Sequence, residues 1–298
     1  MSEKVFDISL ETIWRRIETD SLSNEFVVFD NFEDTTKVLD FLEVPEYPMR
    51  INLNMIILCT EGSLRLRQGV NEIVLSENKF VVILTDQIFQ MLEFSPDFKA
   101  GFMLVKDEFL LEQNDIRSLL FNIGKAVTWK SCYSISQELM QEESSLFRGI
   151  RNTIRQRDNK YRINIIHHYF RIMFYHVCHI FFSEQEKLVE ASSRHDEIFY
   201  RFIRDVNDEF YQHRKIQYYA DKASLTPKYF SKIILEVSGK KASDWIDEYV
   251  ILEAKTLLKN TSQTIQQISD RLNFSNQSHF SRYFTSHTGV SPYAYRTK

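Results

Sequence analysis

Seven side chains near the end of this chain have the types and spacing to read a nucleic-acid groove: Lys228, Ser231 and Lys232, then Gln277, Ser278, Ser281 and Arg282. Arg and Lys match the acceptor edge of guanine in the major groove, Gln matches adenine, and short hydroxyl side chains let a helix backbone approach the bases. Catalysis demands other constellations, and neither catalytic nor metal-binding residues are expected here.

These side chains sit in two segments that repeat one pattern. LTPKYFSKIILEVSG runs from Leu225 to Gly239 and NQSHFSRYFTSHTG from Asn276 to Gly289, with matching positions 50 residues apart: Phe230 with Phe280, Ser231 with Ser281, Lys232 with Arg282, Gly239 with Gly289. Thr226 followed by Pro227, and Asn276 in the second copy, are helix starts. Gly239 and Gly289 suit the left-handed residue just past a helix end. The spacing predicts helices over 226–237 and 276–287.

An amphipathic stretch precedes each one, IQYYADKASL from Ile216 and TIQQISDRLNF from Thr264, which makes two helix-turn-helix units. In the first, Tyr229, Phe230, Ile233, Ile234 and Val237 are expected to face inward; in the second, Phe280, Tyr283 and Phe284. The seven polar residues are left outside. A plain solvated face would look the same for either helix alone, and it is the duplication that favours DNA.

Residues 195–298 resemble the DNA-binding domain of the AraC/XylS family of bacterial transcription regulators, most specifically over ISDRLNFSNQSHFSRYFTSHTGVSPYAYR. The resemblance implies double-stranded DNA and RNA polymerase as partners, an activating role and a homodimer. It also implies one rigid connecting helix, here about 243–258, that holds the reading helices to two major-groove segments ~34 Å apart. Three departures stand out. Asn273 replaces a frequent Gly, in a left-handed turn that Asn also tolerates. Ser269 replaces a small Ala, a change expected to cost little. The stretch from Asp247 to Leu252 carries no base, so no phosphate contact is expected from the connecting helix.

Charge follows the same division. Residues 195–298 hold 15 Lys and Arg against 12 Asp and Glu, a balance of +3, while residues 1–194 hold 22 against 29, or −7; together these give the −4 of the chain. So small an excess implies salt-sensitive binding helped by a second subunit.

The first hundred residues alternate in short apolar runs: EFVVFD from Glu25, MRINLNMIIL from Met49, SLRLRQG, NEIVLSE, KFVVILT, FQMLEF and FKAGFMLV. Met49 to Met55 alternates Ile51, Leu53 and Met55 against Arg50, Asn52 and Asn54. This predicts a β-barrel or sandwich and resembles the cupin-like sensor domain many family members carry. A cupin-type enzyme is the rival reading. It is disfavoured because the first histidine is His167, beyond the strands, so the barrel lacks the imidazoles that bind a catalytic metal. No cofactor is expected. Arg50, Arg65 and Arg67 offer charge to an anionic effector, or are solvated strand faces.

Helices are expected from Asp107, from Ser134 and from Tyr161. In the last, Ile163, Ile166, Phe170, Met173, Val177 and Ile180 fall three and four apart, a seam expected to pair with a second copy or with the chain's own barrel. His176 and His179 are read as surface or interface residues, and 183–197 as a polar linker. Cys59, Cys132 and Cys178 are read as reduced thiols of a cytoplasmic protein. The 11-residue apolar run Ile172–Phe182 is too short to span a membrane.

The organisation expected is thus an α+β multidomain chain. Residues 1–106 form a cupin-like β-barrel sensor, 107–194 a helical linker and dimerisation region, and 195–298 an all-α tandem helix-turn-helix domain. A small-molecule effector at the N-terminal domain, or a regulator with no effector, remain alternatives.

Overall fold

Val27, Val28 and Phe29, then Phe80 to Ile83, then Ala100 to Val105, are unbroken apolar runs, and a strand of that kind must be covered on both faces. The computed structural model, which describes residues 20–22, 26–32, 47–50, 52–107, 109, 131–191 and 193–297, shows how. Contacts divide the chain into a β-rich unit that ends at Lys187 and a helical unit that begins at Leu188 and also takes in Tyr47–Met49.

The β-rich unit contains two antiparallel sheets. Its strands are β1 Asp20–Leu22, β2 Phe26–Asp30, β3 Met49–Arg50, β4 Asn54–Glu61, β5 Ser63–Gln68, β6 Asn71–Ser76, β7 Lys79–Ile83, β8 Ile88–Phe94, β9 Lys99–Val105 and β10 Cys132–Ser134. One sheet runs β1-β2-β9-β4-β7-β10 and the other β3-β8-β5-β6. Among the described residues no pairing closes them into a barrel. Each expected run is a strand except the one from Met49, which is interrupted at Asn52 and Leu53. Asn54, expected to point outward, is buried instead: its amide donates to Asp107 Oδ1 at 2.6 Å and its carbonyl accepts from the Thr85 backbone at 3.2 Å. Satisfying both ends of that amide outweighs the alternation.

Alternation along the six-stranded sheet sends Val27, Phe29, Ile57, Val81 and Phe102 to one face and Phe26, Val28, Leu58, Phe80, Val82 and Met103 to the other, and all of them are buried. Against the second face pack α1 Gln137–Arg155 and α2 Arg162–Ala191. Ser136 caps α1 by accepting from the Leu139 backbone. The α2 seam is used here: Ile166, Phe170 and Met173 are buried in this core, Val177 and Ile180 pack against it, and only Ile163 stays out, half exposed. Of the two readings of that seam, contact with the chain's own sheet accounts for these side chains.

His176 does not sit on an open surface. Its Nδ1 lies 2.5 Å from Oε1 of the buried Glu143 on α1; burial pushes that carboxyl's pKa up, while the histidine pulls it down. Burial likewise pushes the thiols of Cys59 and Cys178 up to about 12, which leaves both protonated near neutrality. Arg65 is paired with Glu72 at 3.2 Å and Glu93 at 2.9 Å, and Arg67 with Glu72 at 3.6 Å. These are ion-paired strand faces rather than a bare cationic pocket. The expected helix from Asp107 lies outside the described residues, apart from Asp107 and Phe109.

Residues 183–191, expected as linker, continue α2, for SEQEKLVEA holds no Gly or Pro to stop a helix. Ser193 and Asp196 then form a capping box that starts α3 Arg194–Glu209. The rest of the helical unit is α4 Ile216–Lys222, α5 Pro227–Ser238, α6 Ala242–Asn260, α7 Ile265–Arg271, α8 Gln277–Thr288 and α9 Pro292–Thr297. No helix among the described residues is long and apolar enough to cross a membrane.

Candidate nucleic-acid interface

The two reading helices are cut to length by the residues that the repeat predicts. Thr226 Oγ1 accepts from the Tyr229 backbone and Asn276 Oδ1 from that of His279; Gly239 and Gly289 close the helices at φ 69° and 77°. α5 and α8 are each 12 residues long.

The turns before them also match. Ser224 (φ 57°) and Asn273 (φ 54°) are the left-handed residues; their amides donate to Asp221 and Asp270 carbonyls at 2.9 Å each, and the next amides, Leu225 and Phe274, reach the Ala220 and Ser269 carbonyls. Asn273 thus fills the place where a glycine is frequent, with the geometry intact. Gln217 to Asp221 and Gln266 to Asp270 repeat one side-chain bond, at 2.6 and 2.8 Å.

Buried on α5 are Phe230, Ile233 and Ile234, and on α8 Phe280 and Phe284. Phe202 of α3 meets Tyr219 and Phe230 edge-on at 5.4 and 5.3 Å. Phe274 closes the second core against Phe280 at 5.3 Å. All seven candidate residues keep solvent contact: Lys228, Lys232, Gln277, Ser278 and Arg282 are exposed, and Ser231 and Ser281 half-buried.

Tyr229 is a correction. Expected inward, it is 47% exposed. At about 100° per residue it stands a quarter-turn off the Phe230 line, on the flank of α5. Its equivalent in the repeat, His279, is exposed too, as are Leu235 and its counterpart Thr285. These four extend the outer face beyond the seven. Setting the two copies on one helical wheel, with Phe230 and Phe280 superposed, would have found them.

The two faces differ electrostatically. Lys232 Nζ is 3.5 Å from Glu236 Oε1 one turn on, both well exposed. Among the described residues no carboxylate pairs with Arg282. A helix N-terminus carrying Lys228 or Gln277 adds partial positive charge toward a phosphate.

The connecting helix α6 spans Ala242–Asn260, two residues longer at its C-terminal end than expected. Tyr249 to Leu252 are buried in it and Asp247 is hydrogen-bonded to Tyr283.

Ser269 departs from expectation. Its hydroxyl is fully buried with no hydrogen-bond partner, whereas the first copy has the equally buried Ala220 at this place. An orphaned hydroxyl costs about 1 kcal/mol or more. We expect Ser269→Ala to raise the melting temperature of the helical unit; an unchanged or lowered one would contradict the burial argument.

A fold of two such units, each a capped reading helix behind a tight left-handed turn, defines a helix-turn-helix DNA-binding domain. Comparison with known proteins agrees: residues 219–298 match the family model described as "Helix-turn-helix domain". This C-terminal domain is of the AraC type. Its curated relatives are transcription regulators rather than enzymes. The HTH-type transcriptional regulator YobQ of Bacillus subtilis (strain 168) is 30% identical over 97 residues, which cover 33% of this chain and 40% of that protein. The regulatory protein PocR of Salmonella typhimurium is 27% identical over 114 residues, 38% of each chain. The chain thus spans about two fifths of these relatives' lengths. Among solved structures, ToxT of Vibrio cholerae, with an unsaturated fatty acid bound, aligns over 84% of this chain and 88% of its own at 19% identity and a TM-score of 0.39.

Proposed function

We propose that the whole chain is a sequence-specific, DNA-binding regulator of transcription that reads two adjacent major-groove segments with α5 and α8. The observation that carries this reading is the internal repeat: the same cap, turn and outward polar face built twice around one connecting helix. Lys228, Ser231 and Lys232 serve the first segment; Gln277, Ser278, Ser281 and Arg282 serve the second. Selection from duplexes with a randomised core of ~20 base pairs, two turns of duplex, tests it. The expected product is a pair of motifs whose centres lie about one turn apart; a pool without enrichment would contradict the reading.

The activating role and the contact with RNA polymerase rest on the family resemblance alone, and a cytoplasmic place follows from the DNA partner. Residues 1–106 are proposed as the input domain for a small molecule. The α1 and α2 helices, within 107–194, support this sheet rather than forming a separate arm. Pairing of two chains is proposed through the side of α2 that faces away from that core. There Ile165, His168, Ile172, Tyr175 and His179 recur three and four apart, and Ile172 and Tyr175 are 43% and 42% exposed. Ile172→Glu is expected to shift the sedimenting species to monomer while leaving the melting of the β-rich unit in place. A dimer that persists would move the contact elsewhere.

A further inference from the structure

The second helix-turn-helix unit carries polar groups that its twin does without. Tyr283 and His287 lie where the first copy has Ile233 and Val237, both apolar and Ile233 fully buried. The module folds with hydrocarbon at these places, so the polar groups answer to something outside it.

That something is contributed by two other elements. Tyr283 Oη donates to Asp247 Oδ1 on the connecting helix α6 at 2.6 Å, and His287 Nε2 lies 3.4 Å from the other oxygen of the same carboxylate. Arg214 comes from the loop ahead of α4 and thus belongs to the first unit. Its Nη2 donates to the Leu272 carbonyl in the turn of the second unit, and its guanidinium carbon lies over the Phe274 ring, 3.9 Å from the centroid. Phe274 is in turn 5.1 Å from the Tyr283 ring. Burial lowers the Arg214 pKa, partly offset by the nearness of Tyr283 and Asp247, and burial with the Asp247 bond raises that of Tyr283. A guanidinium is a planar fork that stacks and donates at fixed angles, so it holds orientation in a way that a flexible Lys does not.

We infer that Arg214, Asp247 and Tyr283 form a polar strap between the two helix-turn-helix units, which fixes the angle between α5 and α8. These are positioning residues, not base readers. On the two-segment reading proposed above, which the consequence for DNA rests on, the strap sets the tolerated spacing between the half-motifs. Hydrocarbon of similar shape often stabilises as well as a buried polar tie or better, so stability alone gives no reason for polar groups here.

The test needs no DNA. Nitroxides are placed on the full chain at Lys232→Cys and Arg282→Cys, with the half-buried Cys132 replaced by Ser, and the distance between them is measured by pulsed electron resonance. The unaltered strap is expected to give one narrow distribution. Arg214→Gln, and Tyr283→Phe, which keeps the ring and so the packing, are expected roughly to double its width, as a single tied state gives way to several. Arg214→Lys is expected to rescue little, because it keeps the charge and loses the fork. Widths are compared well below each variant's melting temperature, where the folded state dominates; unchanged widths there in Arg214→Gln and Tyr283→Phe would overturn the strap, even if either variant melts earlier. The randomised-duplex selection separates the two ideas. Half-motifs retained with relaxed spacing in Tyr283→Phe support the strap's effect on DNA, and one unrelaxed spacing counts against it. A parent protein that enriches no paired motif rejects two-segment reading, while widened distances would still uphold the strap.

Discussion

Phe280→Ala is expected to unfold the second helix-turn-helix unit, at a cost of about 3–5 kcal/mol. The Phe280 ring is fully buried, 5.3 Å from Phe274 and 5.9 Å from Phe284. No other large side chain can move into the space, because Phe274 is held by Arg214 and Phe284 packs on Tyr295. A helix of 12 residues does not persist alone in water, so α8 depends on that core. Hydrogen exchange on the full chain checks the expectation. Amides of 265–297 should lose protection while strands β4, β7 and β9 keep theirs, and DNA selectivity should fall with the lost unit. Protection retained across α8 would show that the core is not where the burial puts it.

Arg282→Ala is expected to cost ~1–3 kcal/mol on selected duplexes and much less on random ones, with discrimination relaxed at one base position. An exposed guanidinium with no carboxylate partner among the described residues presents its donor fork to a guanine without first breaking an ion pair. Lys232 must leave Glu236 to do the same. Its replacement by alanine is therefore expected to weaken binding less and to act more evenly across sequences, lowering the salt slope by about one. Binding isotherms on selected and random duplexes at several salt concentrations check both. Equal losses on the two duplexes would remove Arg282 from base reading.

What could be read from the sequence was whatever local chemistry decides. Thr226-Pro227 and Asn276 start their helices and Gly239 and Gly289 end them, because caps are satisfied within a few residues. The strands were legible for the same reason: turns at Gly62 and Gly69 take positive φ and separate runs of period two. What depended on distant partners was not. The seam of α2 looked the same whether it faced a second chain or its own sheet; the deciding fact is the two-sided apolar sheet, which needs α2 as cover. Asn54 read as an outward polar residue until the Asp107 and Thr85 bonds drew it in. Helical spacing alone puts Tyr229 one step of the wheel too far inward, and nothing local to Ser269 signals that its hydroxyl is sealed off. The Arg214, Asp247 and Tyr283 cluster joins residues 33 and 36 apart in sequence, across three elements, and no periodicity brings such residues together.

Methylation protection at guanine N7, on a duplex taken from the selected pool, decides whether α5 and α8 each enter a major groove. Two blocks of protected guanines are expected about one helical turn apart, with protection lost at a single guanine of one block in Arg282→Ala and weakened evenly over both in Lys232→Ala. A single block, or two blocks in which Arg282→Ala exposes no guanine, would contradict reading by the repeated helices.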